Sequence, residues 1–295
     1  LKKKNLFNIN GEIFNSPFIL NLSKDFFESN KRRIDIEIKK LKLNFFNESE
    51  KKDNLTKGIN IFSTFNSKIQ TEYSIDKNLI YFKSDTSTIK NPNLYYDGKL
   101  SFKPFDLKID VNLQEYDLSK IINIDSVMGE LIQSKLLFNE NISANILVNL
   151  DSNKNSEIFT SSVINFSILN NKINFDKTKL INKKIGFLEL DNSDLFIENN
   201  RLILNTDINI NVQNSKRLFS FFLTPRKLRN KIEKIFINLD YDFLSKQLIV
   251  NSMKIDKNES NDKMMDVIKQ FNDSNDYNLN KSRRVFNELL SAYAG

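Results

Sequence analysis

The chain has 295 residues and contains no Cys, no His and no Trp. Disulfides, thiolate nucleophiles, Cys-ligated metals and every catalytic arrangement built on an imidazole are therefore excluded. The net charge is +7, and 44 Asn beside abundant Lys and Ile suit an AT-rich codon usage, which supplies basic residues without any anionic partner.

In chain order, Asn10-Gly11 predicts a two-residue hairpin turn, because both central positions of a type I′ turn need φ > 0. Ile34, Ile36 and Ile38 alternate with polar residues, as do Leu41, Leu43 and Phe45. The phase slip near Lys39-Lys40 predicts a β-bulge. The polar run from Glu48 to Thr56 predicts a loop. Ile59, Ile61, Phe65, Ile69, Tyr73 and Ile75 hold one phase for about 17 residues, which at ~3.3 Å per residue is one very long strand or two with a bend. Asp97-Gly98 predicts a second tight turn. Phe105, Leu107, Ile109, Val111 and Leu113 alternate with Asp106, Lys108, Asp110 and Asn112. Asp117 or Asp125 caps a predicted helix carrying Val127, Met128, Leu131 and Ile132, weakened by Gly129.

Alternation resumes at Ile142, Ala144, Ile146, Val148 and Leu150. Asn170-Asn171 and Asn199-Asn200 serve as turns, since Asn tolerates the left-handed region. Leu202, Leu204, Ile208, Ile210 and Val212 form a strand. Residues Lys216 to Leu223 predict a short helix, and Thr224-Pro225 fits an N-cap followed by Pro at the first helical position. Ile235, Ile237, Leu239, Tyr241 and Phe243 form another strand. Two helices close the chain, with stripes at Met264, Met265, Val267, Ile268, Phe271 and at Val285, Phe286, Leu289, Leu290, Tyr293. The Asn/Asp/Ser-rich run from Asn272 to Asn280 reads as their linker. The expected fold is an antiparallel meander of roughly twelve to sixteen strands with few helices.

Period-two alternation gives each strand one greasy and one wet face, and the greasy face must be buried against something. Short helices cannot cover so many strands. A closed sandwich or small barrel is one answer. A membrane barrel is another, disfavoured because its aromatic girdles have no Trp here. The third is a trough whose greasy inside holds a ligand with acyl chains.

Several segments are similar to one family. Gly11-Glu12-Ile13-Phe14 followed by Ser16-Pro17-Phe18 resembles a strand-turn-strand element of AsmA-like proteins. The run Tyr96-Asp97-Gly98-Lys99-Leu100-Ser101-Phe102-Lys103-Pro104-Phe105-Asp106-Leu107 resembles their recurring D-G-x-L-x-x-x-P-F-x-L hairpin. Leu136-Leu137-Phe138-Asn139 leading into Asn141-Ile142-Ser143-Ala144 resembles their helix-to-strand junction. Gly186-Phe187-Leu188, the strand pair from Leu195 to Val212, and Phe286-Asn287-Glu288-Leu289-Leu290 also fit. The resemblance covers roughly residues 5 to 256 and the extreme C-terminus, and it rests on the order of the segments, since each alone is weakly specific.

What the resemblance implies is a strongly curved antiparallel sheet forming an open, taco-like groove in the periplasm of a double-membraned bacterium. It implies tethering to the inner membrane through an N-terminal anchor outside this chain, phospholipid transport between the membranes, support of outer-membrane integrity, and a periplasmic or outer-membrane protein partner. The family has no catalytic motif to carry over. The start at Leu1 fits a C-terminal piece of such a protein, and no stretch reaches the ~18 apolar residues of a spanning helix.

The resulting expectation is a non-enzymatic lipid-binding module with no cofactor, no metal and no catalytic residue. The sheet spans 1–258, with helical insertions near 117–138 and 216–234, and residues 259–295 form a helical cap. Acyl chains would lie against Phe105, Leu107, Ile109, Val111, Leu202, Leu204, Ile208, Ile210, Ile235, Ile237 and Leu239. Anionic headgroups would meet Arg226, Lys227 and Arg229, in the basic stretch from Lys216 to Lys234. Phe219, Phe221 and Phe222 interleave with that stretch, a weak version of a single-strand nucleic-acid pattern, and no nucleic-acid partner is expected. The competing reading is a closed β-sandwich or a repeat scaffold of adhesin type that binds no lipid. A carboxylate-only glycosidase is disfavoured, because Asp and Glu lie mostly on wet faces or in turns and no pair stands out.

Overall fold

The computed structural model describes residues 4–13, 16–25, 30–39, 42–64, 66–89, 92–115, 137–152, 158–273 and 279–294. The chain is mostly β, a long antiparallel meander with a few short helices, two of them at the C-terminus. Eighteen strands lie among the described residues, more than the sequence suggested. The chain divides into two compact units, residues 1–116 with 143–151, and residues 117–142 with 152–295. The helix expected at Val127, Met128, Leu131 and Ile132 lies outside the described residues, as do Leu41 and Leu136.

The first unit contains β1 (Lys4–Ile13), β2 (Ser16–Asp25), β3 (Lys31–Ile38), β4 (Leu43–Lys52), β5 (Leu55–Thr64), β6 (Ser67–Asp76), β7 (Leu79–Thr88), β8 (Asn93–Phe102), β9 (Phe105–Gln114) and β10 (Ile142–Asp151). From β1 to β9 each strand pairs antiparallel with the next. β10 pairs with β9, and Ser143 Oγ donates to Asp106 Oδ1 at 2.9 Å.

The pairing registers correct several sequence expectations. Ile38 pairs with Leu43 and Ile36 with Phe45. The slip near Lys39 is thus a hairpin and not a bulge, closed by Lys42 N donating to Lys39 O at 3.1 Å. In this hairpin paired residues have opposite parity, so a change of phase is what keeps apolar residues on one face. The same rule overturns the single long strand at 59–75. β5 and β6 pair as a hairpin, Phe62 with Ile69 and Gly58 with Tyr73, so Ile59 and Ile61 lie on the face opposite Tyr73 and Ile75. The supposed loop from Glu48 to Thr56 is mostly strand, with its turn at Asp53, which takes φ 52°.

Neither Asn10-Gly11 nor Asp97-Gly98 is a turn. Gly11 lies within β1 opposite Phe18, and Gly98 within β8 opposite Phe82. Gly58 lies likewise opposite Tyr73. In all three the aromatic ring lies over the glycine, so that a Cβ there would come within 2.7 Å, 2.7 Å and 2.5 Å of Phe18, Phe82 and Tyr73 respectively. Glycine inside a strand marks a close approach, and a cross-strand ring restores the contact the missing side chain would have made.

The second unit contains β11 (Ser161–Leu169), β12 (Lys172–Asn174), β13 (Lys179–Asn182), β14 (Gly186–Glu198), β15 (Arg201–Val212), α1 (Ser215–Phe221), a 3₁₀ turn (Arg226–Leu228), β16 (Lys234–Asp242), β17 (Gln247–Ile255), β18 (Asn258–Glu259), α2 (Asp262–Asn272) and α3 (Leu279–Ala294). β12 and β13 share one position, each pairing with β11 on one side and β14 on the other. From β14 to β18 the strands pair in sequence order. The Asn170-Asn171 and Asn199-Asn200 turns form as expected, with φ of 51° and 60°, and 47° and 64°.

Helix ends follow capping chemistry. Asn214 accepts from Arg217 N at the start of α1, and Asn261 from Met264 N at the start of α2. The Thr224-Pro225 signal yields only the 3₁₀ turn, with no side-chain cap. α2 runs through Asn272 and α3 starts at Leu279, so the linker is shorter than the polar run. Met264, Ile268, Phe286, Leu289 and Leu290 are buried with Val212, Ile235, Met253 and Ile255 of the sheet. At ~1.5–3 kcal/mol per fully buried large side chain, this cluster is the main cohesive element of the unit.

A Cβ at Gly98 would run into Lys108 O as well as Phe82. Since a backbone carbonyl cannot step aside, Gly98→Val is expected to lower stability by about 2–3 kcal/mol, read as a fall in the urea midpoint.

Candidate functional site

The first unit carries one apolar face across its strands. Strand registers line up Ile9, Leu20, Ile36, Phe45, Phe62 and Ile69 in one row across β1 to β6. A second row runs Tyr73, Phe82, Gly98 and Ile109 across β6 to β9, and a third runs Ile75, Ile80, Leu100 and Leu107. Leu20, Ile36, Phe45, Phe62 and Ile69 are half-buried, while Phe7 and Ile9 are 62% and 46% exposed.

A polar row crosses this face. Asn47 pairs with Asn60, and Asn60 with Thr71. Asn47 Nδ2 also donates to Tyr73 OH at 2.7 Å, and the Thr71 hydroxyl bonds Tyr96 OH. Ser84 and Ser87 are buried and bond each other, and Ser87 Oγ accepts from Gln70 N at 2.8 Å. These polar side chains bond one another or, at Asn47 and Ser87, the neighbouring backbone, as burial in apolar surroundings requires.

Of the eleven residues read from the sequence as a lipid surface, Phe105, Leu107, Ile109 and Val111 lie on β9, on this first-unit face. The other seven lie in the second unit. Ile208 pairs with Ile237, Ile210 with Ile235, and Thr206 with Leu239, so these share the apolar face of β15 and β16. Leu202 is fully buried and Leu204 half-buried on the same face.

Ile210, Ile235 and Ile237 lie on the wall of a cavity of about 210 Å³ under the helices. Leu218, Phe222, Val250, Met253, Ile268, Phe271, Val285, Phe286 and Leu289 complete its apolar lining, with Ser282 the one polar side chain. α3 therefore lies over the sheet face. Asn272 covers the strand beside it, its side chain accepting from Val250 N at 2.9 Å and donating to Val250 O at 3.0 Å.

The opposite face of the second unit is a lattice of Asn amides and Asp carboxylates. Asp207 accepts from Asn192 at 2.8 Å and from Asn238 at 2.7 Å. Asp240 accepts from Asn205 at 2.7 Å and Asn251 at 2.9 Å, and Asp191 from Asn209 at 2.8 Å. The abundant Asn thus has a structural use on the wet face. Among the described residues no group of three acidic side chains could hold a metal ion, and no helix is long and apolar enough to cross a membrane.

The three expected headgroup residues differ. Arg226 and Lys227 are exposed in the 3₁₀ turn. Arg229 is exposed but turns back, its Nε donating to Thr224 O at 2.9 Å. Sequence reading missed the apolar face formed by β1 to β6, because its residues change parity at every hairpin but the one between β2 and β3 and look like broken alternation. It also missed Leu223, whose exposure has no signature in a hydropathy pattern.

Among the described residues Asp242 is the one strongly perturbed carboxyl. Burial pushes it up, but Arg201 Nε at 2.8 Å and the Leu244 and Ser245 bonds outweigh that, lowering it from 3.8 to about 2. No family model matches the chain, and neither does any curated protein or solved structure.

Because the folded pKa of Asp242 lies below its unfolded value, its stabilisation of about 2 kcal/mol is present above pH ~4 and is lost as pH falls toward ~2. Asp242→Asn removes that stabilisation at neutral pH and flattens the acid limb of a denaturation-midpoint profile. Thr206, 2% exposed on the apolar face, has a buried hydroxyl with no hydrogen-bond partner. Thr206→Val is expected to raise stability by about 1 kcal/mol in urea titration.

Proposed function

We propose that this chain is a non-enzymatic lipid-binding module that takes phospholipid acyl chains against the apolar face of its first unit. The observation that carries the reading is the row Ile9, Leu20, Ile36, Phe45, Phe62 and Ile69, apolar over six strands and left half-buried or exposed. Contiguous apolar surface of this kind marks an interaction site. An acyl chain gains about 0.8 kcal/mol per buried CH₂. A uniform row of such side chains holds a long chain firmly while presenting little resistance to sliding by one CH₂.

The resemblance to AsmA-like proteins supports the same reading, and with it a periplasmic setting and a role in moving phospholipid between two membranes. Within the second unit the 210 Å³ cavity is below the ~300–1,000 Å³ of ordinary small-molecule sites. The acyl surface is therefore assigned to the first unit.

The test is lipid extraction and mass spectrometry of the chain purified without detergent from a double-membraned host. Phospholipid is expected to copurify. Ile36→Asp and Ile109→Asp, each placing a carboxylate where acyl chains would lie, are expected to reduce it to background with circular dichroism unchanged. A folded protein that neither copurifies with lipid nor takes up a fluorescent phospholipid would overturn the proposal.

A further inference from the structure

The charge of this chain is concentrated. Residues 216–234 hold seven Lys and Arg against a single acidic residue, Glu233, so 19 residues carry +6 of the net +7. Lys216 and Arg217 lie in the first turn of α1 and Arg226 and Lys227 in the 3₁₀ turn, and one loop joins the two elements. α1 ends at Phe221, Leu223 N donates to Ser220 O at 3.3 Å, Thr224 N to Phe219 O at 2.9 Å, and the 3₁₀ turn follows at Arg226–Leu228. Lys216, Arg217, Arg226 and Lys227 are exposed, and none forms an ion pair among the described residues.

Leu223 lies in the middle of this turn. It is 67% exposed and takes φ 54°, an uncommon setting for a residue other than glycine. Its neighbours are fixed from behind by α3, where Arg283 Nε donates to Phe221 O at 3.0 Å and Asn287 Nδ2 to Phe222 O at 3.1 Å. The turn is thus a clamped loop carrying an exposed apolar side chain, followed three and four residues on by the exposed Arg226 and Lys227.

We propose that this turn is a docking site for an anionic phospholipid bilayer, with Leu223 entering the headgroup–acyl boundary and Arg226 and Lys227 meeting lipid phosphates. An apolar residue with surrounding basic side chains is the chemistry of interfacial attachment. Single-stranded nucleic acid fits less well, because it needs free aromatic faces. Here Phe219 is buried, Phe222 stacks on Phe286 at 4.1 Å, and Phe221 packs edge-on to Phe222 at 5.1 Å. The docking turn belongs to the second unit and the acyl-binding face to the first, so each can fail without the other.

The experiment is sedimentation of the full chain with phosphatidylcholine vesicles, with and without phosphatidylglycerol. Binding is expected only with the anionic lipid and is expected to weaken as salt is raised. Arg226→Gln combined with Lys227→Gln should reduce partitioning by roughly 30-fold, at ~1 kcal/mol per charge. The control pair Lys51→Gln with Lys57→Gln makes the same change in net charge and should leave it nearly unchanged. Since the chain has no Trp, Leu223→Trp supplies a single indole reporter, whose emission is expected to shift to shorter wavelength on vesicles and to be quenched by lipids brominated along their acyl chains. Equal losses in the two double variants, an indole emission unmoved by vesicles, or binding to a single-stranded oligonucleotide in place of vesicles would each overturn the proposal.

Discussion

Ile210, Ile235 and Ile255 stand side by side across three strands of the second unit, paired in register, and the rest of that unit is arranged to keep water from them. A sheet face cannot shed its apolar residues, because alternation fixes every second side chain to the same side. The chain therefore supplies three short helices whose stripes face the sheet. Neither Ile255 nor Met264 retains any exposed surface. Asn261 ties the arrangement together, capping α2 while donating to Ala292 O near the end of α3 at 2.9 Å. One amide thus fixes the start of one helix against the end of the other.

The first unit meets the same constraint without a described helix on its apolar face. Its strands are about as long and just as alternating, yet the burial pattern differs. Among the described residues of this unit, buried apolar side chains are confined to Leu94, Leu113, Ala144 and Leu150, on β8 to β10. Toward β1 the same face stays half-covered. The Asn47–Asn60–Tyr73 and Ser84–Ser87 contacts cross it as a closed polar row. Such a row fixes register, since a one-residue slip would turn every member to the other face and strand its partners. Register here is set by specific hydrogen bonds as well as by hydrophobic pattern, which suits a surface that is not sealed by packing.

Fold class was legible in the sequence because alternation is a local signal with a single geometric meaning. Phe105 to Leu113, Leu202 to Val212 and Ile235 to Tyr241 are all strands at nearly the expected bounds. Turns were legible only where both residues are Asn. At Asn10-Gly11 and Asp97-Gly98 two signals competed, since glycine permits a turn but also permits a ring to lie over a strand. The alternation Leu94, Tyr96, Gly98, Leu100, Phe102 continues through the glycine, and that continuity marks it as an inward strand position. The face of β1 to β6 was illegible for a different reason. Which residues share a face across a hairpin depends on the sum of paired residue numbers, and that sum is a property of the turn.

The difference between the two units bears on where a lipid could be held. Filling the second-unit cavity would require a ligand to fit beneath α3, among side chains that already stack, such as Phe222 on Phe286. Every such contact is part of the cohesion of that unit, so opening it costs stability before any ligand is gained. In the first unit no comparable packing has to be undone around Ile9 and Phe7, which are already exposed to solvent. On the proposed reading, an acyl chain laid there would remove water from both partners at once, and its affinity would grow with the number of strands it crossed. A surface whose binding scales with length and whose occupation breaks no existing contact is suited to a long apolar chain, whereas the closed core under α3 is suited to holding the fold.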